Sequence, residues 1–188
     1  MERDQVHGDQ VNDGRRGPVE ASTGFALRPA RADDVPVLAR VWRDGWHDGH
    51  EGNVPDELVK HRTLEEFERR ISDRVPSTTV AVITAADGDP IAGFVVVIDD
   101  EVEQLYVASP ARGTAIASHL LTAAEQVIFQ HHERAWLAVV AGNVRARRFY
   151  ERCGWRDFDA FDTLAEISEG VMAVPALRYE KRRPILSS

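Results

Sequence analysis

The sequence has few of the features that mark secreted, zinc-binding or membrane proteins. It contains a single cysteine, Cys153, among 188 residues, which excludes an internal disulfide framework and a cysteine-rich zinc site, and we expect no metal. The longest unbroken apolar run, Ile91 to Ile98, is far shorter than the roughly 18 residues that a membrane-spanning helix needs. No apolar segment follows Met1, so we expect no secretory signal and a cytoplasmic location.

Basic residues are also scarce relative to acidic ones. With 23 Lys and Arg against 31 Asp and Glu, the formal net charge is −8 at pH 7. Nonspecific binding to nucleic acid or to an anionic membrane needs a cationic face, so neither is an expected partner. The 43% apolar and 29% charged content is typical of a soluble globular protein.

The composition divides the chain into one domain and two tails. Residues 1–24 hold only five apolar side chains, too few to offset the entropy cost of ordering, and predict a flexible N-terminal tail. Residues 25–183 are the predicted single domain, because a chain below ~200 residues favours one core. Residues 184–188 are a predicted C-terminal tail.

Hydrophobic periodicity predicts a mixed α/β fold around one central sheet, in the order β-α-α-β-β-β-α-β-α-β-β. The capping-box pattern Thr63-Leu64-Glu65-Glu66 predicts the start of the second helix, and the polar stretch from Asp48 to Pro55 predicts a loop before it. The predicted strands are Phe25–Arg28, Thr79–Ala85, Ile91–Ile98, Glu101–Val107, Arg134–Val140, Trp155–Phe161 and Met172–Glu180, and the predicted helices begin near Asp33, Leu64, Ala115 and Asn143.

One connection between a strand and a helix contains the residues of an anion-binding site. Leu105 to Val107 end a strand, and a turn with Pro110, Arg112 and Gly113 leads into a helix. The first N–H groups of a helix lack intrahelical partners and lie at the positive end of its dipole, which suits a phosphate or pyrophosphate. Arg112 adds a positive charge there. The alternative is an ordinary turn between a strand and a helix.

This segment resembles the acetyl-CoA-binding motif of the GCN5-related N-acetyltransferase (GNAT) family. The family pattern Gln/Arg-x-x-Gly-x-Gly/Ala corresponds to Arg112-Gly113-Thr114-Ala115-Ile116-Ala117, with Ala115 where the family usually has glycine. A second motif, from Asn143 to Trp155, is similar to the family's Asn-x-x-Ala-x-x-Phe-Tyr-x-x-x-Gly-Phe helix. Together with Arg28-Pro29-Ala30, the resemblance extends from about residue 25 to residue 183.

The resemblance implies a GNAT-like fold with a splayed central sheet that holds acetyl-CoA, the acetyl donor, between the fourth and fifth strands. The pantetheine would pair with the backbone of the fourth strand, and the pyrophosphate would rest on the turn that follows. Arg112, Arg145, Arg147 and Arg148 would make this side of an acidic protein positive. The implied cofactor-binding residues are Leu105, Tyr106, Val107, Arg112, Gly113, Thr114, Ala115, Ile116, Ala117, Asn143, Ala146, Phe149 and Tyr150.

The resemblance also implies direct acetyl transfer to a primary amine of a small molecule or peptide. Tyr150 matches the family's general acid, which protonates the departing thiolate. Glu101 matches the position of a family base on the fourth strand, and Glu103 is the second candidate. From the residues alone, Tyr150 could equally be a packed aromatic, and the two glutamates could be solvated residues near the end of a hairpin.

Family acceptors usually lie against the loop between the first two helices, which corresponds here to residues 44–57. This segment carries five carboxylates and no Lys or Arg, which favours a cationic amine, and the candidate acceptor contacts are Trp46, His47 and Glu51. The alternative is a solvated surface loop with Trp46 packed on the core.

Two alternatives concern the function of the protein as a whole. One is a non-catalytic acyl-CoA-binding or regulatory protein on the same fold, motivated by Ala115, and the other is a protein-interaction module that binds no ligand. The expected partners are acetyl-CoA and a small amine or peptide acceptor, and the hypothesis includes a homodimer.

Overall fold

The computed structural model describes residues 24–84, 88, 90–167 and 170–184. The predicted tails, 1–24 and 184–188, therefore lie outside the described residues except for their innermost positions. The strands are β1 Phe25–Pro29, β2 Thr78–Ile83, β3 Ile91–Ile98, β4 Glu101–Val107, β5 Arg134–Val140, β6 Arg156–Ile167 and β7 Gly170–Arg182. The helices are α1 Val35–His50, α2 Asp56–His61, α3 Leu64–Arg74, α4 Ile116–Ile128 and α5 Val144–Arg152.

The seven strands form one mixed sheet in the order β1-β2-β3-β4-β5-β7-β6. Neighbouring strands are antiparallel except β4 and β5, which are parallel. The predicted mixed α/β fold is thus confirmed. The predicted element order omitted one element, the six-residue helix α2, which is too short to show a hydrophobic period. None of the helices in the described ranges is both long and apolar enough to cross a membrane.

The sheet splays open between β4 and β5, as the resemblance implies. The two strands pair only at Glu101 and Trp136, where the N–H of Trp136 donates to the carbonyl of Asp100 at 3.0 Å. Beyond that point β4 keeps its antiparallel pairing with β3 on one edge, up to Gly93 opposite Val107. Its other edge therefore faces an opening instead of a neighbouring strand.

A β-bulge in β4 changes which side chains face each side of the sheet. Val96 pairs with Gln104 but Val97 pairs with Val102, so Glu103 is the additional residue on β4. A bulge shifts the alternation of side chains by one position. As a result Gln104 lies on the same side as Glu103, although strict alternation would place it on the opposite one.

The two faces of the sheet carry separate cores. Helix α4 packs on one face with buried residues such as Leu120 and Ile128, and helices α1 and α3 pack on the other face around Trp42 and Phe67. Tyr106 packs with the second core, while Leu105 and Val107 pack with the first. The opening between β4 and β5 therefore lies at the boundary between the two cores.

The prediction of a loop from Asp48 to Pro55 was wrong in its first part, because α1 continues through His50. Two glycines inside this helix misled the prediction, since glycine costs about 1 kcal/mol in a helix interior. Both glycines allow α1 to lie close to a neighbouring side chain. A Cβ at Gly45 would lie 2.5 Å from the Tyr106 ring, and one at Gly49 would lie 2.7 Å from Nδ2 of Asn143. These glycines hold α1 directly over the splay.

Candidate active site

A cleft of about 460 Å³ occupies the splay between the end of β4, the turn before α4, and α5. Eleven of the thirteen predicted cofactor-binding residues line it, which brings together two motifs that are about 30 positions apart in the chain. These eleven are Leu105, Tyr106, Val107, Arg112, Gly113, Thr114, Ala117, Asn143, Ala146, Phe149 and Tyr150.

The turn before α4 presents backbone N–H groups to this cleft. A short 3₁₀ turn, Ser109–Ala111, is followed by Gly113 at φ +80°, a conformation that glycine adopts without strain. The Thr114 hydroxyl donates to the carbonyl of Ala111 at 2.7 Å and accepts from the N–H of Ile116 at 3.4 Å. The N–H groups of Gly113, Thr114 and Ala117 have no hydrogen-bond acceptor among the described residues. They are available to an anion at the positive end of α4.

The remaining two predicted cofactor residues, Ala115 and Ile116, do not line the cleft. Ile116 is only 2% exposed and belongs to the core, because it begins the apolar face of α4. Ala115 caps the helix: its carbonyl accepts from the Ser118 hydroxyl at 2.7 Å and from Nδ1 of His119 at 2.8 Å. Ala115 has φ −73°, an ordinary right-handed conformation, so the position does not require the glycine that is usual in the motif.

The arginines around the cleft are arranged differently from the prediction. Arg112 forms an ion pair with Asp48 of α1 at 2.5 Å, so part of its charge is already neutralised. Arg145 lines the cleft as expected. Arg147 does not, since it bonds to the Tyr179 hydroxyl and to the carbonyl of Ala141.

A second cavity of about 300 Å³ adjoins the cleft. It lies between α1, α3, β4 and β6, and includes Glu101 of β4 and Trp46 of α1. The walls shared by the cleft and the cavity are Leu105, Tyr106, Asn143, Ala146 and Tyr150. A molecule in the cleft and another in the cavity would therefore meet beside the Tyr150 side chain.

Glu101 has the environment of a proton acceptor. Its carboxylate has no hydrogen-bond or ion-pair partner within the part of the chain that the structure describes. Burial, reinforced by the negative charges of Glu103 and Asp100, raises the pKa of Glu101 to about 7. A general base works best when its pKa lies near the working pH.

Glu103 has a different environment from Glu101, because its carboxylate is already paired. The Nε and Nη2 of Arg74 in α3 donate to the carboxylate of Glu103, with the shortest contact at 2.6 Å. Both carboxylate oxygens of Glu103 therefore already accept charge-assisted hydrogen bonds from Arg74. Its contact with α3 also fixes that helix against β4.

Tyr150 is a proton-bearing group at the junction of cleft and cavity. Its ring packs against Phe149 at 5.3 Å and Tyr179 at 6.2 Å between centroids. Burial raises the pKa of the Tyr150 hydroxyl further above its ordinary value near 10. The hydroxyl is therefore protonated at neutral pH, as a proton donor must be.

The family model described as Acetyltransferase (GNAT) family matches residues 40–155, more than half of the chain. The chain belongs to this acetyltransferase family. The matched range includes the splay, the anion-binding turn, Glu101 and Tyr150. No curated protein sequence matches the chain.

Solved structures agree with the assignment to the GNAT family. A GCN5-related N-acetyltransferase from Rhodopseudomonas palustris has 18% identity and a TM-score of 0.66, with 84% of this chain and 95% of that chain covered. The PaiA N-acetyltransferase from Thermoplasma acidophilum, solved with coenzyme A, has 18% identity, a TM-score of 0.65 and coverages of 85% and 99%. YncA from Salmonella typhimurium, solved with its cofactor acetyl-CoA, has 11% identity, a TM-score of 0.61 and coverages of 87% and 96%. At these identities the likeness establishes the GNAT fold.

The acceptor side of this GNAT domain differs from the sequence-based expectation. Trp46 is only 7% exposed and lines the second cavity. Its ring stacks on the His50 ring with 4.6 Å between centroids, and Cζ of Arg62 lies 5.7 Å from the Trp46 ring centroid. His47 lies near the carbonyl of Arg62 at 3.1 Å, and Glu51 is exposed beyond the end of α1. Neither His47 nor Glu51 lines the cleft or the cavity.

The acidic residues expected to attract a cation are directed elsewhere, because the segment that carries them is mostly helical. Asp48 pairs with Arg112, Asp44 with its neighbour Arg43, and Glu57 with Lys60. The predicted cofactor-binding residues thus gather around one cleft, whereas two of the three predicted acceptor contacts, His47 and Glu51, lie outside both cavities.

Several cavity-lining residues escaped the sequence analysis. Arg70 lies three positions after the buried Phe67 of α3, so a charge at that helical spacing was an available signal. Gln104 was hidden by the bulge at Glu103. Ser118 and Arg152, which line the cleft, were also not predicted.

Proposed function

We propose that the protein is an N-acetyltransferase that moves the acetyl group of acetyl-CoA directly to a primary amine of a small molecule or peptide. One observation carries the proposal: Tyr150 and Glu101 line a single cavity that joins the cofactor cleft where β4 and β5 diverge. Membership of the acetyltransferase family supplies the reaction class. In this proposal residues 25–183 form one catalytic domain. A homodimer and a cytoplasmic location remain predictions.

The residues of the cleft suit acetyl-CoA. The open edge of β4 at Leu105 to Val107 offers backbone groups for strand-like pairing with the amides of a pantetheine. The free N–H groups of Gly113, Thr114 and Ala117 suit a pyrophosphate, and Arg145 adds positive charge at the rim. Acetyl-CoA would supply the activated thioester, and the cleft would position that thioester beside Tyr150.

The proposed chemistry needs one proton acceptor and one proton donor. Glu101 takes a proton from the ammonium group of the acceptor, and the free amine then attacks the thioester carbonyl carbon. A C–N bond forms as the C–S bond breaks. The Tyr150 hydroxyl gives its proton to the departing thiolate, and the surplus proton on the new amide nitrogen passes to solvent or back through Tyr150. Holding both partners in one cavity supplies much of the rate by proximity.

The alternative of a non-catalytic acyl-CoA-binding protein was motivated by Ala115, and the position of this residue in the structure removes that motivation. That residue has a helical conformation and stands outside the cleft, so its methyl group does not obstruct the pyrophosphate turn. The proposal does not include a cationic acceptor. That expectation depended on residues 44–57 forming a loop, and most of these residues are helical.

The experiment that tests the function is an acceptor screen in which thiol release from acetyl-CoA is measured with amino acids, polyamines, aminoglycosides and peptides. Calorimetry with acetyl-CoA measures donor binding separately. We expect at least one amine to support turnover, and we expect Tyr150→Phe to reduce that turnover without weakening donor binding. Donor binding without turnover on every amine would contradict the proposed activity.

A further inference from the structure

Arg70 of α3 carries a charge that the fold leaves without a counterion. The other arginines of this helix have carboxylate partners: Arg69 pairs with Glu66 at 2.8 Å and Arg74 with Glu103 at 2.6 Å. The Arg70 guanidinium makes neither a hydrogen bond nor an ion pair in the described ranges 24–84, 90–167 and 170–184, and its Nε is shielded from solvent. It is held by stacking, with its Cζ 5.3 Å from the centroid of the Trp42 ring.

Two further arginines, Arg62 and Arg74, lie close enough for their charges to act on Arg70. Arg62, which is 5% exposed, donates from Nη1 to the carbonyl of Glu166 at 2.7 Å and has no described carboxylate as a partner. Burial, followed by the nearby charge of Arg74, lowers the pKa of Arg70 from its ordinary value. Glu103 is already paired with Arg74, and Glu101 is partly protonated near neutral pH. The other two carboxylates whose charge acts on Arg70, Glu66 and Glu166, lie 2.8 and 3.5 Å from Arg69, so no carboxylate in the described ranges contacts Arg70.

Arg70 lines the acceptor cavity that also contains Glu101 and Tyr150, and an adjoining cavity of about 140 Å³. A guanidinium without a counterion in a half-buried site is costly, and an anionic ligand recovers that cost when it binds. The planar fork of arginine matches the two oxygens of a carboxylate. We infer that the acceptor carries a carboxylate as well as its amine, and that Arg70 binds this carboxylate.

This inference rests on the proposed function, because it assigns the amine to the end of the cavity beside Glu101 and Tyr150. His50 in the wall of the same cavity offers a further hydrogen-bond acceptor. Burial lowers the pKa of His50 to about 4, so the ring is neutral. Its Nδ1 lies 2.9 Å from the carbonyl of Trp46, which can only accept, so Nδ1 carries the hydrogen and Nε2 is a free acceptor.

The dimensions of the cavity indicate the class of acceptor. The two adjoining cavities, about 300 and 140 Å³, share Arg70, Gln104 and Leu164 in their walls, and Leu164 with Val140 offers an apolar surface for a side chain. These volumes fit a free α-amino acid. A peptide with an acidic first residue has the same pair of groups, and the experiment separates the two.

The test compares matched acceptors. Acetylation of each of the twenty L-amino acids is measured beside that of its α-amide and of dipeptides that begin with Asp or Glu. We expect at least one amino acid to exceed its amide by about 10-fold or more in kcat/KM, the effect of one charge-assisted pair. The amide has the less basic amine, so amine ionisation cannot produce this preference. Amides that equal or exceed their acids throughout would overturn the inference, and a preference for the acidic dipeptides would replace free amino acids as its acceptor class.

Three variants link the preference to Arg70. We expect Arg70→Gln to bring the ratio of acid to amide close to one without changing the KM for acetyl-CoA, and Arg70→Lys to give an intermediate ratio. The control, Arg69→Gln, removes an exposed charge next to Arg70 and leaves the ratio unchanged. Arg70→Gln also removes a charge that has no partner, so its melting temperature should equal or exceed that of the parent protein. An unchanged ratio in both Arg70 variants would overturn the inference.

A binding measurement separates failure of this inference from failure of the proposed function. N-acetyl-L-leucine and N-acetyl-L-leucinamide, which cannot be acetylated at nitrogen, are titrated calorimetrically against the parent protein and Arg70→Gln in the presence of coenzyme A. Tighter binding of the acid, lost in the variant, supports a carboxylate site even if no amine is turned over. Equal binding of the two compounds by the parent protein, together with turnover of amines that lack a carboxylate, would leave the acetyltransferase activity standing and remove the inference.

Discussion

The two halves of the site use different parts of the polypeptide. The cofactor cleft presents mostly main-chain groups, namely the open edge of β4 and the N–H groups of the turn at Gly113 and Thr114. The acceptor cavity presents side chains contributed by separate elements: His50 from α1, Arg70 from α3, Glu101 from β4 and Leu164 from β6. A site made from backbone tolerates changes of side chain, whereas a site made from side chains changes its ligand when one residue changes.

The largest effect in this comparison is expected for Glu101→Gln. Loss of the general base should lower kcat by about 10²- to 10³-fold, while the dissociation constant for acetyl-CoA stays the same. Because the pKa of Glu101 is about 7, the parent enzyme should lose kcat/KM as pH falls below about 7. Initial rates from pH 5.5 to 9 measure both effects. If kcat/KM of the variant still falls below about pH 7 as it does in the parent enzyme, another group is the base.

A smaller loss is expected for Tyr150→Phe at the junction of the two halves. Water can replace the phenol as proton donor only in part, so kcat should fall about 10- to 10²-fold. Calorimetric binding of acetyl-CoA should change little, because the ring still packs against Phe149 and Tyr179. Unchanged turnover would reject the role of Tyr150 as the acid.

The two glutamates of β4 should have opposite effects on stability. The folded-state pKa of Glu101 is raised from 4.5 to about 7, so its favourable contribution is complete below about pH 4.5 and is lost as pH rises through 7. Glu101→Gln should therefore stabilise the fold by about 1–2 kcal/mol at pH 8 and have little effect at pH 4.5.

Glu103→Gln is the matched variant, two positions along the same strand. It breaks the bidentate pair with Arg74 and should destabilise the fold by about 1–3 kcal/mol at pH 8. Urea unfolding of both variants at the two pH values measures these differences. The same sign of change for both at pH 8 would contradict the contrast in their environments.

The smallest effect is expected on the donor side, at Arg145. Arg145→Gln removes one exposed charge from a cleft that binds mainly through backbone, so the KM for acetyl-CoA should rise only about 2- to 5-fold with kcat unchanged. Arg148→Gln, an exposed neighbour on α5 that does not line the cleft, is the control and should have no effect. A loss of 100-fold or more in the first variant would show that side chains, not backbone, dominate donor binding.

The same contrast explains which features the sequence could predict. The turn at Arg112-Gly113-Thr114 and the helix that follows Asn143 are local, so short motifs specify them, and the fold follows from their order. The pairing of Glu103 with Arg74 joins residues 29 positions apart and depends on a bulge, which leaves no local pattern. The length of α1 was missed because Gly45 and Gly49 oppose helix formation locally, and their contacts with Tyr106 and Asn143 arise only in the assembled fold.

Helix α1 restricts how the specificity of this enzyme could be redesigned. Within one turn it places Trp46 and His50 against the acceptor cavity and Asp48 against Arg112 of the donor turn. Because Asp48 is paired with Arg112 and Gly49 lies against Asn143, a shift or rotation of the helix that admitted a larger acceptor would also disturb the donor side. Directed evolution for new acceptors should therefore succeed through α3 and β6, and libraries that vary α1 should mainly yield enzymes with impaired use of the donor.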